Sequence, residues 1–262
     1  MARALGKTCV SRLALLAGFA FLLTFLLDRR GRASLLSEAS CSRGCSCPSL
    51  VRSSTLLQNL TEFFEVFGGD ERRYSYHSYL NRHSIVVEVG GYTGVDIAAL
   101  RTMYGSFRAI LFEPIFHEEA VHNMKSMDSV TILPYGVGAV DRFIHFDVAG
   151  DATRPAIAEK GKKAEIRNFK HAIDDLHLER VDLLQINCEG CEWELLETIL
   201  DLPRIFEHIQ VQFHPDATWV DNQLGRYAII QDRLAESYDL VYDQTWIWQL
   251  WRLKRKRLFS MY

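Results

Sequence analysis

Positive charge is not in surplus here. Thirty Lys and Arg stand against 33 Asp and Glu, and the formal net charge is −3. A chain that tracks a phosphate backbone needs an excess of cations, so nucleic acid is not an expected partner. The one basic run, Arg252 to Arg257, is short and reads as solvated surface. No internal repeat and no low-complexity tract interrupts the chain. At 262 residues there is room for one large domain with extensions, not for two full-sized domains. A hydrophobic share of 48% with 24% charged residues is that of an ordinary globular protein with a sizeable core.

What is present is organised around residues 85–94, Ile-Val-Val-Glu-Val-Gly-Gly-Tyr-Thr-Gly. Ile85 to Val89 is an apolar, β-branched run and reads as a buried strand. It enters a turn with glycines at 90, 91 and 94, followed by a helix-like segment from Val95 to Tyr104. Glycines let the backbone approach a ligand closely, and the helix start presents free N–H groups to it. A dinucleotide fingerprint would want glycines at 90, 92 and 95, but Tyr92 and Val95 stand there, so NAD fits poorly. Ala109 to Phe112 is a second strand and ends in Glu113, where nucleotide-binding sheets hold ribose hydroxyls.

The chain before this motif divides into three expected parts. Residues 1–30 contain the uncharged run Leu13 to Leu27, about 22 Å long as a helix. With Arg12 snorkelling, it reads as an uncleaved signal anchor giving a single-pass type II protein in the ER or Golgi lumen. Secretion after signal cleavage is the alternative. Residues 31–55 form a stem with Cys41, Cys45 and Cys47; no His or fourth Cys lies near enough to complete a zinc site. Disulfides, including one between two chains of a dimer, are the expected use. Residues 56–83 read as a helical cap, and Asn59-Leu60-Thr61 is an N-glycosylation sequon at Asn59.

In residues 84–262, apolar runs alternate with helical segments, which argues for a parallel α/β sheet covered on both faces. Beyond Glu113 the expected strands are Val130 to Leu133, Phe143 to Val148, Val181 to Cys188 and His208 to Phe213. A closing pair, Leu240 to Tyr242 and Thr245 to Leu253, forms an antiparallel edge. Helices are expected over Phe116 to Met127, Trp193 to Leu200 and Asn222 to Glu236. The charged stretch Asp151 to Arg167 lacks periodicity and reads as a loop or lid on the substrate side.

Taken in order over residues 84–252, these motifs resemble the FkbM-type S-adenosylmethionine-dependent methyltransferases. Glu88-Val89-Gly90-Gly91-Tyr92-Thr93-Gly94 occupies the place of that family's acidic-x-Gly-Ala-Asn-x-Gly motif. Phe112-Glu113-Pro114 matches its Phe-Glu-Pro, and Gln185 to Glu192 matches its Lys-Ile-Asp-Val-Glu-Gly-Ala-Glu block. Gly136-Val137-Gly138 and Ile173-Asp174 have counterparts as well. The resemblance implies a seven-stranded Rossmann-like sheet, S-adenosyl-L-methionine as cofactor and methyl transfer, usually to a hydroxyl. By the same carry-over, Glu88, Gly90, Gly91, Tyr92, Gly94, Glu113 and Pro114 would bind the cofactor, with Glu113 on the ribose. Asn187, Glu189 and Glu192 would face the methyl group or the acceptor. A small molecule, lipid or glycan within reach of the membrane is the expected acceptor, and no metal is implied.

Three departures bear on catalysis: Asn187 stands for the family's Asp, Gln185 for its Lys, and Gln212 for a frequent Glu. An amide cannot take a proton at neutral pH, which leaves Glu189, Glu192 and His214 as bases. A retired fold serving as a membrane-tethered interaction protein is therefore a second reading. Cys188-x-x-Cys191 at a strand-to-helix junction raises a third, a thiol oxidoreductase. The flanking Glu189 and Glu192 oppose thiolate formation, so two packed structural thiols are preferred.

Overall fold

A computed structural model describes residues 70–149, 152–156, 160–202, 204–214, 217, 219–244 and 247–255. The expected anchor, the cysteine stem, Asn59 and the first part of the cap lie outside the described residues.

The strand order follows from which runs are apolar on both sides. In chain order the elements are β1 (Ile85–Val89), α1 (Val95–Tyr104), β2 (Arg108–Phe112), α2 (His117–Met124) and β3 (Val130–Leu133). Next come β4 (Gly136–Gly138), β5 (Arg142–Ala149), β6 (Ala152–Pro155), β7 (Lys162–Asn168), α3 (Phe169–Asp175) and β8 (Leu183–Ile186). The chain continues through α4 (Glu192–Ile199), β9 (His208–Gln212), α5 (Gln223–Ser237), β10 (Tyr238–Gln244) and β11 (Trp248–Leu253). The main sheet has seven strands in the order β10-β11-β9-β8-β1-β2-β3. Pairing is parallel from β9 through β8, β1 and β2 to β3, while β11 runs antiparallel to both β9 and β10. This is a Rossmann-like α/β sheet, with one reversed strand inserted next to the edge.

Side-chain alternation sorts the two faces. Val87, Val89, Leu184, Ile186, Ile209 and Val211 join one core with Phe169 of α3, Trp193 of α4 and Ile230 of α5. Those three helices pack side by side. On the opposite face the register lines up Glu88, Gln185 and Gln210 as neighbours across β1, β8 and β9. All three are buried. They lie beneath a 3₁₀ segment, Asp70–Tyr76; the rest of the described cap, residues 77–83, is turn and coil where helix was expected.

Two expectations need correction. Asp151 to Arg167 is not a loop: β6 and β7 fall within it and join β4 and β5 in a second sheet ordered β4-β7-β5-β6. Its strands are half-exposed and charged, so Lys162-Lys163-Ala164-Glu165-Ile166 buries only alternate residues and shows little apolar signal. Cys188 and Cys191 are not separate thiols but a disulfide.

Candidate functional site

Both ligand-facing turns leave the carboxyl ends of adjacent central strands, where open α/β sheets place their crevice. A cavity of about 400 Å³ opens there. Its wall includes Glu88, Gly90, Gly91, Tyr92, Glu113 and Pro114, together with Asn187 and Glu189. Gly90 has a positive φ of 80°, and a Cβ there would stand 1.9 Å from the carbonyl oxygen of Asn187. Only glycine lets β1 turn this close to the chain leaving β8. Gly94 does not line the cavity: it caps α1 and rests against Met124.

Glu113 is buried, and its carboxylate organises the turn around it. One oxygen accepts the Tyr92 N–H at 2.7 Å; the other accepts Ile115 at 2.7 Å and Phe116 at 2.8 Å. Burial raises its pKa, against the lowering effect of the three amides and of Lys162. Tyr92 and Phe116 meet edge to face, their centroids 4.8 Å apart, and with Phe112 and Ile115 they line the same end of the cavity.

The other end is a buried polar network. Gln185 donates to Glu88 at 2.8 Å and to Asp96 at 2.6 Å. Asp96 also accepts from Arg73 at 2.7 Å and from the Tyr74 hydroxyl at 2.5 Å. Arg73 lies over the Trp248 ring, 4.0 Å from its centroid, and lines the cavity with Glu88 and Asp96. Behind them Gln210 donates to Gln185, and His77 bonds Gln210 and Tyr79. Burial holds His77 down at about 4, so it is neutral. Burial and the neighbouring Asp96 push Glu88 well above the usual carboxyl range. Glu88 Oε2 and Asn187 Oδ1 are buried on the cavity wall with no hydrogen-bond partner among the described residues. Buried polar atoms of this kind call for a ligand or water.

The Gln185 to Glu192 block divides its labour. Asn187 and Glu189 face the cavity, and Glu189 adopts a left-handed φ of 54°. Glu192 is fully buried and does not line it, which corrects the expectation that it faces a substrate. Its carboxylate accepts the Gly190 N–H at 2.9 Å and both the backbone and Nδ1 of His214, at 2.8 and 3.1 Å. His214 is likewise buried behind the wall, with Nε2 3.5 Å from Glu189. Burial disfavours its charge, but Glu192 and Glu189 outweigh that and hold the imidazolium well above its ordinary pKa. His214 thus anchors Glu189 rather than reaching a substrate.

Arg73, Tyr74 and Asp96 were not legible as site residues. Asp96 sits in the first turn of a helix, where an acid is ordinary. Arg73 precedes the sheet and meets it only through folding.

No family model matches the chain, and no curated protein matches it. Among solved structures it is similar to an FkbM methyltransferase from Methylobacillus flagellatus KT, at 16% identity and a TM-score of 0.40 over 66% of this chain and 44% of that one. This chain thus spans less than half of that structure's length. It is similar to Aeropyrum pernix fibrillarin with natively bound S-adenosyl-L-methionine, at 9% identity and a TM-score of 0.40, covering 66% and 67%. An rRNA methylase from Streptococcus thermophilus is similar at 12% identity and a TM-score of 0.44, covering 70% and 95%. These likenesses concern architecture alone.

Proposed function

We propose that this chain is an S-adenosylmethionine-dependent methyltransferase acting on a hydroxyl of a glycan, lipid or small metabolite. The observation that carries the reading is the pairing, inside this sheet order, of the Gly90–Tyr92 turn with the buried Glu113 carboxylate. When bound, the cofactor would supply an electrophilic methyl group to an acceptor oxygen, its sulfur leaving as a neutral thioether. Glu113 would hold its ribose, and Tyr92, Pro114 and Phe116 would flank its base. Glu88 and Asp96 suit a cationic amino group and Arg73 a carboxylate, the two charges of a methionine end. Glu88 Oε2 and Asn187 Oδ1 are acceptors in want of donors there. Glu189, held by the His214 imidazolium, takes the proton the acceptor hydroxyl loses. Positioning supplies most of the acceleration in such a displacement, so a weak base suffices.

The reading extends to residues 1–30 as a signal anchor, with the stem, a glycosylated Asn59 and the catalytic domain in the ER or Golgi lumen. The Cys188–Cys191 disulfide supports an oxidising compartment.

The test is calorimetric titration of the full-length chain in detergent with S-adenosylhomocysteine, beside Glu113→Ala. Micromolar binding is expected, weakened at least about tenfold in the variant, or about 1.4 kcal/mol. Thermal unfolding checks that both proteins are folded. A folded wild type that does not bind overturns the reading. Binding without turnover on any hydroxylated acceptor would favour the retired fold.

A further inference from the structure

A second cavity, of about 330 Å³, adjoins the first. Val137, Phe146, Ile166, Cys188, Glu189 and Cys191 line both. A ligand in one would therefore meet a ligand in the other across Glu189 and the disulfide. The methyltransferase reading needs an acceptor beside the cofactor, and this cavity has the chemistry of one class.

Its distinctive wall is Trp219. The residue is 42% exposed, unlike Trp193, Trp248 and Trp251, which the core buries. Its indole rests on the turn between the two cysteines, where a Cβ on Gly190 would come within 2.8 Å of it. Gly190 has a φ of 108°, so the backbone makes room for the ring at a place where a side chain would be strained. A large indole fixed by backbone and open to a cavity is a platform with a face to offer.

The charged groups around it decide what lies on that face. Arg142 is paired with Glu194 at 2.8 Å, and Arg226 makes two 2.9 Å bonds to Glu197. Those two guanidiniums are committed, so they offer little to a phosphate or a carboxylate. Glu189 and Asp221 contribute acceptors, and Ile144, Phe146 and Pro155 contribute apolar surface. Acceptors, an aromatic face and apolar walls, without a free cation among the described lining residues, suit a neutral ring with hydroxyls on its rim and C–H groups on its faces.

We propose that the second cavity binds a pyranose residue of a glycan, stacked on Trp219, with the hydroxyl to be methylated directed to Glu189. The chemistry rests on the methyltransferase reading; the binding does not. Glu189 on the shared wall, with Asn187 lining the first cavity near it, fits a hydroxyl delivered from this side.

The test uses the full-length chain in detergent and a panel of methyl α- and β-pyranosides of the common hexoses, N-acetylhexosamines and pentoses. Binding is read by saturation-transfer NMR without cofactor. At least one pyranoside is expected to bind, with affinity at least tenfold lower in Trp219→Ala and partly retained in Trp219→Phe. S-adenosylhomocysteine affinity is expected to be unchanged in both variants, which also reports that they are folded. No binding of any pyranoside to a wild type that binds S-adenosylhomocysteine overturns the sugar site and leaves the enzyme reading standing. Pyranoside binding equal in wild type and Trp219→Ala overturns it too. Pyranoside binding that depends on Trp219, in a protein that does not bind S-adenosylhomocysteine, supports the sugar site and removes the enzyme reading alone.

Discussion

His214 is wedged between two carboxylates, one fully buried and one at the cavity wall. Its folded pKa lies above the unfolded value of about 6.5, so charging it favours the folded state. The sign follows from linkage: this contribution is fully present below the unfolded pKa and is lost as pH rises through the folded one. Removing the imidazole leaves Glu192 buried without its main counter-charge. His214→Gln is expected to cost on the order of 3 kcal/mol near pH 6, with the gap to wild type narrowing toward pH 10. Denaturant unfolding across that range measures it. A gap that widens with pH would contradict the ion-pair account. The sequence offers His214 as a base, and only the folded chain shows it as an anchor. Its partners, Glu192 and Glu189, lie across a strand boundary that only the sheet closes.

At the scale of elements, α4 ties the site to the core. Its first residue, Glu192, anchors the site, and its second, Trp193, is fully buried against Phe213, ring centroids 5.3 Å apart. Trp193→Ala is expected to cost about 3–5 kcal/mol, as for other large aromatic truncations. A loss under about 1 kcal/mol in urea unfolding would mean that α4 is not packed as described. Elements with a continuous apolar run or an amphipathic period were legible: β1, β2, β3, β8 and β9 stand close to where their apolar runs lie, as do α2, α4 and α5. The second sheet was legible only at β5, expected over Phe143 to Val148 and found at Arg142–Ala149. Its strands carry lysines and arginines on an open face, so β6 and β7 lack the apolar run that marks a buried strand. In the site, Gly90 and Glu113 were readable because turn and strand end are local features. Arg73, Asp96 and the Glu88–Gln185–Gln210 ladder were not, because each polar residue becomes meaningful only beside a neighbour from a distant strand.

For the molecule as a whole, the reversed strand is the keystone of the sheet. β11 lies between β9 and β10 and buries Trp248, Leu250 and Trp251. A chain ending at Gln244 would keep β10 but strip β9 of its neighbour, exposing an apolar edge that invites pairing with other chains. Such a truncation is expected to be insoluble or aggregated, with loss of cooperative unfolding by circular dichroism. A soluble, cooperatively folding product would show that β11 is dispensable.

The position of β11 also sets a clock for biosynthesis. Some 40 residues separate the end of β9 from the end of β11. At ordinary elongation rates the ribosome needs roughly 2–8 s to supply them. Throughout that interval the nascent sheet has its parallel strands but an open flank, a state that a holdase chaperone would recognise. The protein's yield in a cell would then depend on what guards that flank while β11 is still being made.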